Sequence, residues 1–270
     1  MNNQSPLRYP GGKTRACKIL DTILRENFNV EEFDTIVSPF FGGGSFEFYL
    51  QNKYNYSILA NDKFTPLYHF WKTCKYNNEK LCEELSKKLD QISSKEEFKI
   101  IRNKIMVEEN ETLQSIMYFI INRCSFSGAT LSGGFSFEAS KKRFTSSSIK
   151  KIGNLDLTRF TIYNLDFIDF IETISTRATS STDSNRNILF LDPPYYLEKG
   201  SKLYGNNGDM HETFGHMLLY KCLTKEKNWI MTYNNCDYIK ELYKNYKIIE
   251  TSWSYGMNRT KESSEIVIIG

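Results

Sequence analysis

The sequence contains no long apolar run, and this absence excludes a membrane-spanning helix. Its longest continuous apolar stretch runs only from Ile116 to Ile121, whereas a helix needs about 20 apolar residues to cross a bilayer. The segment from Met1 to Pro10 contains one arginine and lacks the apolar series that a secretory signal requires. We therefore expect an intracellular, cytoplasmic protein with no membrane partner.

Closely spaced cysteines and histidines are also missing. The six cysteines form no C-x-x-C pair, and none of the three histidines lies at zinc-ligand spacing. Because structural zinc sites place their ligands at short, regular spacings, we expect no metal site, and we expect free thiols in a reducing compartment. The net charge is only +3 over 270 residues, so the overall charge excludes no class of partner.

Short apolar runs alternate with helical patterns along most of the chain. Such runs, bounded by turn residues, predict buried parallel strands. Their alternation with helices predicts an α/β fold with a mostly parallel sheet. The predicted strands are 34–38, 56–61, 159–164, 188–192, 229–233 and 265–269, and the predicted helices are 15–25, 44–51, 167–174 and 214–225.

Strand signals are absent between Pro66 and Thr158. Helical patterns cover 72–89, 95–108 and 113–122, and a basic loop rich in serine and glycine follows through residue 148. We therefore predict a mainly helical insertion, residues 67–158, in an α/β domain made of residues 1–66 and 159–270.

The tetrapeptide Asp192-Pro193-Pro194-Tyr195 directly follows a predicted strand. Ligands of open α/β sheets bind at the carboxyl ends of the strands, and proline, which has no N–H, leaves carbonyl groups free to accept hydrogen bonds. A carboxylate, a carbonyl and an aromatic ring in one turn suit an exocyclic amine, which would donate to Asp192 and Pro193 while its ring stacks on Tyr195. A plain turn after a strand is the alternative.

Two further segments also follow predicted strands. The sequence P-F-F-G-G-G-S, from Pro39 to Ser45, opens a helix, and its glycines allow a ligand to approach the backbone closely. It matches neither the dinucleotide pattern nor a P-loop, and a purely structural turn is the alternative. Asp62 ends the second predicted strand, where an acid commonly binds ribose hydroxyls, although such an acid often only caps a helix.

Two basic features complete the pattern. The segment R-Y-P-G-G-K, from Arg8 to Lys13, forms a turn that would present Lys13 to a carboxylate or phosphate. Residues 122–153 contain six cations and one anion, and such a stretch suits a phosphate backbone. An ordinary exposed turn and a solvated loop are the respective alternatives.

In this order and on these strand ends, the segments resemble the Dam-like family of adenine-specific DNA methyltransferases. The resemblance covers nearly the whole chain and includes N-R-C-S-F-S-G at 122–128 and K-x-x-x-E-I-V-I at 261–268. It implies a Rossmann-like sheet of seven strands with the last one reversed, S-adenosylmethionine as methyl donor and double-stranded DNA as partner. Residues 67–158 would then be the target-recognition insertion, and 1–66 with 159–270 the catalytic domain.

The expected site residues fall into three sets. The catalytic set is Asp192, Pro193, Pro194 and Tyr195. By similarity, the donor site contains Tyr9, Gly12, Lys13, Pro39, Phe40, Gly42, Gly44, Asp62, Asp166 and Asp192. The expected DNA contacts are Arg8, Arg123, Phe126, Ser127, Thr130, Lys141, Lys142 and Arg143.

One position departs from the family pattern. The family usually has Glu or Asp directly before P-F-x-G, and this chain has Ser38. We therefore expect a water-mediated contact with the amino group of the donor's methionine part to be lost.

The resemblance implies methyl transfer to the N6 amino group of a flipped-out adenine in duplex DNA, without a metal. Cytosine N4 methylation, methylation of an RNA adenine or of a protein glutamine amide, and a non-catalytic DNA-binding subunit are the alternatives. Asp192 favours adenine because the cytosine enzymes usually carry S-P-P-Y, and Lys13 and Asp62 argue against a subunit that only binds DNA. GATC is the family-level expectation for the target, and a separate restriction endonuclease is the expected partner if the protein belongs to a restriction-modification pair.

Overall fold

The computed structural model describes residues 3–89, 91–92, 94–128, 130–179, 186–196, 214–254 and 262–270. One seven-stranded sheet contains β1 (Thr35–Ser38), β2 (Ser57–Asn61), β3 (Phe160–Tyr163), β4 (Asn187–Leu191), β5 (Trp229–Asn234), β6 (Lys247–Ser254) and β7 (Glu262–Ile269). The strand order is β3-β2-β1-β4-β5-β7-β6, and all pairings are parallel except the two made by β7. The predicted α/β sheet with its last strand reversed is confirmed.

Alternate residues of the central strands enter two apolar cores, one on each face of the sheet. In β1, Ile36 packs in one core and Val37 in the other, and Ile230 and Met231 of β5 do the same. Successive strand residues point to opposite faces, and both faces of a parallel sheet are covered. The central strands are therefore apolar throughout, which is why their sequence pattern located them.

Helices cover the sheet and form most of the segment between β2 and β3. The helices outside the segment between β2 and β3 are α1 (Cys17–Asn27), α2 (Ser45–Tyr54), α9 (Phe167–Thr179), α10 (His216–Leu223) and α11 (Asp237–Leu242). Those between β2 and β3 are α3 (Thr65–Tyr76), α4 (Asn78–Lys87), α5 (Lys95–Lys104), α6 (Glu111–Cys124), α7 (Phe137–Arg143) and α8 (Ser146–Gly153). None of the helices in the described ranges is long and apolar enough to cross a bilayer.

Three details of the predicted secondary structure are wrong. The single helix predicted over 72–89 is two helices, because Asn77 has a non-helical backbone (φ −138°, ψ 38°). The predicted basic loop contains α7 and α8, whose first turns are capped by the side chains of Ser136 and Thr145. Serine and threonine are typical of loops and of helix N-caps alike, so composition alone did not separate the two. The prediction also missed the edge strand β6.

The helices between β2 and β3 pack onto the rest of the protein through an aromatic layer. Phe70 of α3 stacks on Phe119 of α6 with ring centroids 5.7 Å apart, and both rings belong to the same apolar core as Ile36 of the sheet. Trp71 of α3 also donates a hydrogen bond from Nε1 to the carbonyl of Gly42, at 3.0 Å. This packing fixes α3 and α6 relative to the turn that follows β1.

Candidate active site

The carboxyl ends of β1, β2 and β3 are tied together by the side chain of Asn61. Its Nδ2 donates to the carbonyl groups of Pro39 and Leu165, both at 3.1 Å, and its Oδ1 accepts from the N–H of Leu165 at 2.9 Å. Asn61 is buried, so these bonds are shielded from water and are costly to break. The turns that carry the predicted site residues therefore leave the sheet from a fixed position.

Asp192, at the end of β4, is held by two donors from other parts of the chain. Nζ of Lys13 lies 2.6 Å from Oδ1 and 2.7 Å from Oδ2 of Asp192, and it also donates to the carbonyl of Gly11 at 2.9 Å. Oγ1 of Thr232 in β5 donates to Oδ1 at 2.7 Å. Lys13 is only 3% exposed, and a buried cation requires such a paired anion. The N-terminal turn is thereby fixed to the end of β4.

The ring of Tyr195 lies beside this ion pair. It stacks on Tyr233 with centroids 5.9 Å apart and an interplanar angle of 29°, and Nζ of Lys13 is 5.2 Å from its centroid. Between the ring and Asp192, Pro193 is buried and Pro194 is half-buried. The predicted catalytic set therefore lies in one place, with a carboxylate and an aromatic ring adjacent to each other.

The glycine turn after β1 makes room for a tyrosine of the N-terminal segment. Gly42 and Gly44 have φ of +50° and +66°, values that disfavour any side chain. A Cβ atom on Gly42 would lie 2.8 Å from the ring of Tyr9, and one on Gly43 would lie 2.7 Å from Cβ of Tyr9. Close packing against Tyr9 is thus a structural reason for these glycines that the sequence pattern did not reveal.

Asp62 links the glycine turn to the start of α3. Its Oδ2 accepts from the N–H of Gly42 and its Oδ1 from the N–H of Phe64, both at 2.9 Å. Burial raises the pKa of Asp62 to about 6 and outweighs the two hydrogen bonds, which favour the ionised form. The end of β2 therefore carries a carboxylate that is oriented by the backbone and titrates in the mildly acidic range.

Three phenylalanine rings meet beside Asp166. The centroids of Phe40, Phe167 and Phe214 lie 5.4 to 5.6 Å apart. Asp166, directly before Phe167, accepts from Nζ of Lys63 at 2.8 Å. Partial burial opposes ionisation of Asp166, but the bonds from Lys63 and from a backbone N–H outweigh it and lower the pKa. An aromatic cluster is thus adjacent in the chain to a carboxylate that is ionised near neutral pH.

Comparison of the amino-acid sequence with known proteins shows the family to which the chain belongs. A family model described as D12 class N6 adenine-specific DNA methyltransferase matches residues 9–257. The chain belongs to this family. It transfers a methyl group to the N6 amino group of adenine in DNA, and the predicted family and reaction are confirmed. The methyltransferase is also 24% identical to the Type II methyltransferase M.MjaIII of Methanocaldococcus jannaschii, over 90% of this chain and 88% of the relative.

Three of the predicted DNA-contact residues converge in the methyltransferase. The N–H of Arg8 donates to Oδ1 of Asn122 at 3.1 Å, and Nδ2 of Asn122 donates back to the carbonyl of Arg8 at 2.7 Å. Arg123, the next residue, lies 5.4 Å from the ring centroid of Phe119, and Phe119 in turn contacts Phe144, the neighbour of Arg143. We call Arg8, Arg123 and Arg143 the arginine cluster.

Within the part of the chain that the structure describes, no acidic side chain forms an ion pair with the arginine cluster. Arg123 is 8% exposed, and neither its Nε nor NH1 of Arg143 has a hydrogen-bond partner there. Burial and the nearby charges of Arg8 and Arg143 lower the pKa of Arg123 to about 10. The cluster still carries positive charge at neutral pH.

The other predicted DNA contacts do not belong to the arginine cluster. Lys141 and Lys142 are exposed on α7, where Lys142 is 3.8 Å from Glu138. Phe126 is 69% exposed, and Thr130 is half-buried. The side chain of Ser127, and Lys261 of the C-terminal segment, lie outside the described residues.

Two residues at the site were missed by the sequence analysis. Thr232 was read only as part of an apolar strand, although a polar residue near the end of a strand adjacent to Asp192 was a usable signal. Glu47 was read only as part of α2. It is 2% exposed, its Oε1 accepts from Oγ of Ser38 at 2.6 Å, and burial raises its pKa to about 7. A carboxylate is therefore present beside the position that lacks one in the sequence.

Among the residues that the structure describes, no three His, Cys, Asp or Glu side chains are arranged to hold a metal ion. The six cysteines form no disulfide bond, and burial raises the pKa of Cys124 to about 12. Its thiol is therefore protonated at neutral pH and is a poor nucleophile.

Proposed function

We propose that the flipped adenine binds at Asp192, Pro193, Pro194 and Tyr195 and that these residues carry the methyl transfer. The observation that carries this proposal is the fixed carboxylate of Asp192. Its Oδ1 accepts from Lys13 and Thr232, whereas among the described residues its Oδ2 accepts from Lys13 alone. Because each carboxylate oxygen has two acceptor positions, Oδ2 retains one for an N–H of the amino group.

The proposed binding compensates for the energy of flipping. Taking a base out of the duplex costs about a few kcal/mol of stacking and pairing. Stacking on Tyr195, whose own orientation is supported by Tyr233, returns part of that energy. The two N–H groups of the amine donate to Oδ2 of Asp192 and to the carbonyl of Pro193.

These two hydrogen bonds also activate the amine. The lone pair of the N6 nitrogen is delocalised into the ring, and accepting both hydrogens favours a pyramidal nitrogen whose lone pair is directed outward. S-adenosylmethionine, when bound, supplies an electrophilic methyl group on a sulfonium ion. Oδ2 of Asp192 is placed to accept the proton that the methylated nitrogen must lose. Lys13 and Thr232 keep the carboxylate oriented throughout.

The residues at the ends of β1, β2 and β3 fit this donor. The apolar surface of Phe40 and Phe214, together with Asp62 and Asp166, suits an adenosine group, which is flat and apolar with hydrogen-bonding edges. We assign the ribose hydroxyls to Asp62 and the adenine edge to Asp166. The remaining donor residues are those of the N-terminal and glycine turns, namely Tyr9, Gly12, Lys13, Pro39, Gly42 and Gly44.

We assign the DNA backbone to the arginine cluster. A buried cation without an anionic partner is unfavourable, and a DNA phosphate beside the arginine cluster would supply the missing negative charge. Arg8 directly precedes Tyr9, so a phosphate at the cluster lies close to the proposed donor and adenine sites. Lys141 and Lys142 extend this positive surface outward.

Residues 67–158 are proposed as the target-recognition insertion, and 1–66 with 159–270 as the catalytic domain. Within the insertion, we propose that the exposed ring of Phe126, together with Ser127 and Thr130, approaches base edges or occupies the space of the flipped base. The name of the M.MjaIII relative includes "Type II", and this supports a separate restriction endonuclease as a partner of the present chain.

The product of the reaction tests the proposed target. Purified protein, labelled S-adenosylmethionine and unmethylated duplex DNA are incubated, and the DNA is digested to nucleosides. Labelled N6-methyladenine is expected. Labelled N4-methylcytosine would overturn the assignment of the base, and label only in an RNA substrate would overturn the assignment of DNA.

A further inference from the structure

Ser38 occupies the strand-end position where the family pattern usually has an acid, but the buried carboxylate of Glu47 lies against it. Oγ of Ser38 donates to Oε1 of Glu47 at 2.6 Å. Oε1 of Glu47 is thus separated from Cβ of Ser38 by the hydroxyl oxygen of Ser38 and one hydrogen bond. A glutamate side chain at position 38 would extend its own carboxylate about as far. Strand β1 thus lacks an acid at this position, but Glu47, in the first turn of α2, places a carboxylate next to it.

The surroundings of Glu47 are those of the donor site and not of a structural ion pair. The groups that act on its charge are Asp192 and Lys13, and it acts in turn on the thiol of Cys17. Lys13 bonds to Asp192 and Gly11 rather than to Glu47. Glu47 therefore has no cationic partner of its own within the described residues, although Lys13 lies near enough to favour its charged form.

Such a carboxylate gains most from a positive charge that arrives with a ligand. Glu47 is 2% exposed and Ser38 is fully buried, so the charge is poorly screened by water and acts strongly over short distances. Burial raises its pKa to about 7, so part of the population is protonated near neutral pH. A nearby cation favours the ionised form and releases the proton.

We propose that Glu47, acting through the hydroxyl group of Ser38, is the counter-charge for the ammonium group of the donor's methionine part, in place of an acid at position 38. This proposal rests on the donor site assigned above. It makes Glu47 a binding residue for the donor, and it links donor binding to the release of one proton from this side chain.

Calorimetric binding of two non-reactive ligands tests the proposal. S-adenosylhomocysteine carries the ammonium group, whereas 5′-methylthioadenosine has the same adenosine part without it. When ligand binding favours the ionised form of a group with a pKa of about 7, affinity falls by about tenfold from pH 8 to pH 6. We expect this fall for S-adenosylhomocysteine and not for methylthioadenosine. Titration of Asp62 affects both ligands equally and cancels in the comparison.

The variant Glu47→Gln should bind S-adenosylhomocysteine about tenfold more weakly than wild type at pH 8, and its remaining pH dependence should equal that of methylthioadenosine binding. Its affinity for methylthioadenosine should be unchanged. The added substitution Ser38→Glu should restore tight binding by returning the acid to the strand. Glu26→Gln, on the exposed side of α1, is the matched control and should behave as wild type.

Equal affinities of wild type and Glu47→Gln for S-adenosylhomocysteine at pH 8 would overturn the role of Glu47 and leave the donor site intact. Failure of wild type to bind either ligand would instead overturn the donor site itself. If Glu47→Gln does not fold, Ser38→Ala and the pH profile of wild type decide. Ser38→Ala should weaken binding of S-adenosylhomocysteine alone, and an unchanged affinity would contradict the proposal.

Discussion

Lys13, beside the carboxyl end of β4, and Arg123, in the arginine cluster, are both buried cations, but of these two only Lys13 is paired with an anion among the described residues. Lys13 is paired with Asp192, which also accepts from Thr232. Arg123 is almost as buried, yet its Nε has no partner among the described residues. The difference agrees with the proposal that the residues around Asp192 are in place before substrate binds, whereas the arginine cluster acquires its anionic partner from a DNA phosphate.

Removing the carboxylate of Asp192 should have the largest effect on activity. Asp192→Asn keeps the shape of the side chain but loses the charge and one acceptor for the adenine amine. We expect kcat to fall by about 10²–10³, the usual loss for one preorganised group. Initial rates with labelled donor measure this, and DNA retention on a filter should stay near wild type. A rate close to wild type would show that Asp192 is not catalytic.

Replacing a buried cation should lower the free energy of unfolding at Lys13 but not in the arginine cluster. Lys13→Met leaves Asp192 without its main partner, and breaking a buried pair costs about 3–5 kcal/mol. Arg123→Met removes an unpaired buried cation, so we expect the free energy of unfolding to stay the same or increase. Urea denaturation of the ligand-free variants measures both. Equal destabilisation by the two substitutions would contradict the comparison, because it would mean that Arg123 has an internal partner after all.

Glu47 should make the stability of the ligand-free protein depend on pH. The ordinary pKa of a glutamate side chain is 4.5, and burial raises the pKa of Glu47 to about 7, so the folded state binds the proton more tightly than the unfolded state. The resulting stabilisation is complete below pH 4.5 and is lost as pH rises through 7, a change of about 3 kcal/mol. Glu47→Gln should therefore gain stability relative to wild type by about this amount between pH 4.5 and pH 8. Denaturation at the two pH values measures it, and a constant difference would contradict the burial argument.

The salt dependence of DNA binding should test the role of the arginine cluster, and we expect a smaller effect here than in the preceding tests. A cation that neutralises one phosphate contributes about one unit to the slope of log K against log salt concentration. We expect Arg123→Gln to lose this unit for every duplex sequence, because phosphate contacts do not read bases. Lys244→Gln is the matched control, since Lys244 is exposed, is paired with Glu241 and lies outside the proposed DNA-binding surface. A loss in the control equal to that in Arg123→Gln would contradict a phosphate contact at Arg123.

The sequence predicted those parts of the site that are local in the chain. Asp192-Pro193-Pro194-Tyr195 and the turn from Arg8 to Lys13 each carry their chemistry within a few residues. The sheet order then brings them together, because parallel strands end at one edge. The division into two domains and the roles of the individual residues stay predictions.

The contacts that the sequence did not reveal join distant residues. Thr232 is an ordinary component of β5 until the pairing of β4 with β5 places it beside Asp192. Glu47 lies between Phe46 and Phe48 in a helix, where a buried acid cannot be told from an exposed one without the fold. Helices α7 and α8 were missed because serine and threonine, which cap them, are equally frequent in loops.

The most direct test of this division of roles is the single-turnover rate of methyl transfer at saturating DNA. At saturation a defect in DNA binding no longer limits the rate, whereas a defect in chemistry remains. We expect Arg123→Gln to transfer the methyl group as fast as wild type and Asp192→Asn to be slower by about 10²–10³. A similar loss of rate in both variants, or no loss in Asp192→Asn, would contradict the assignment of the chemistry to Asp192 and of DNA binding to the arginine cluster.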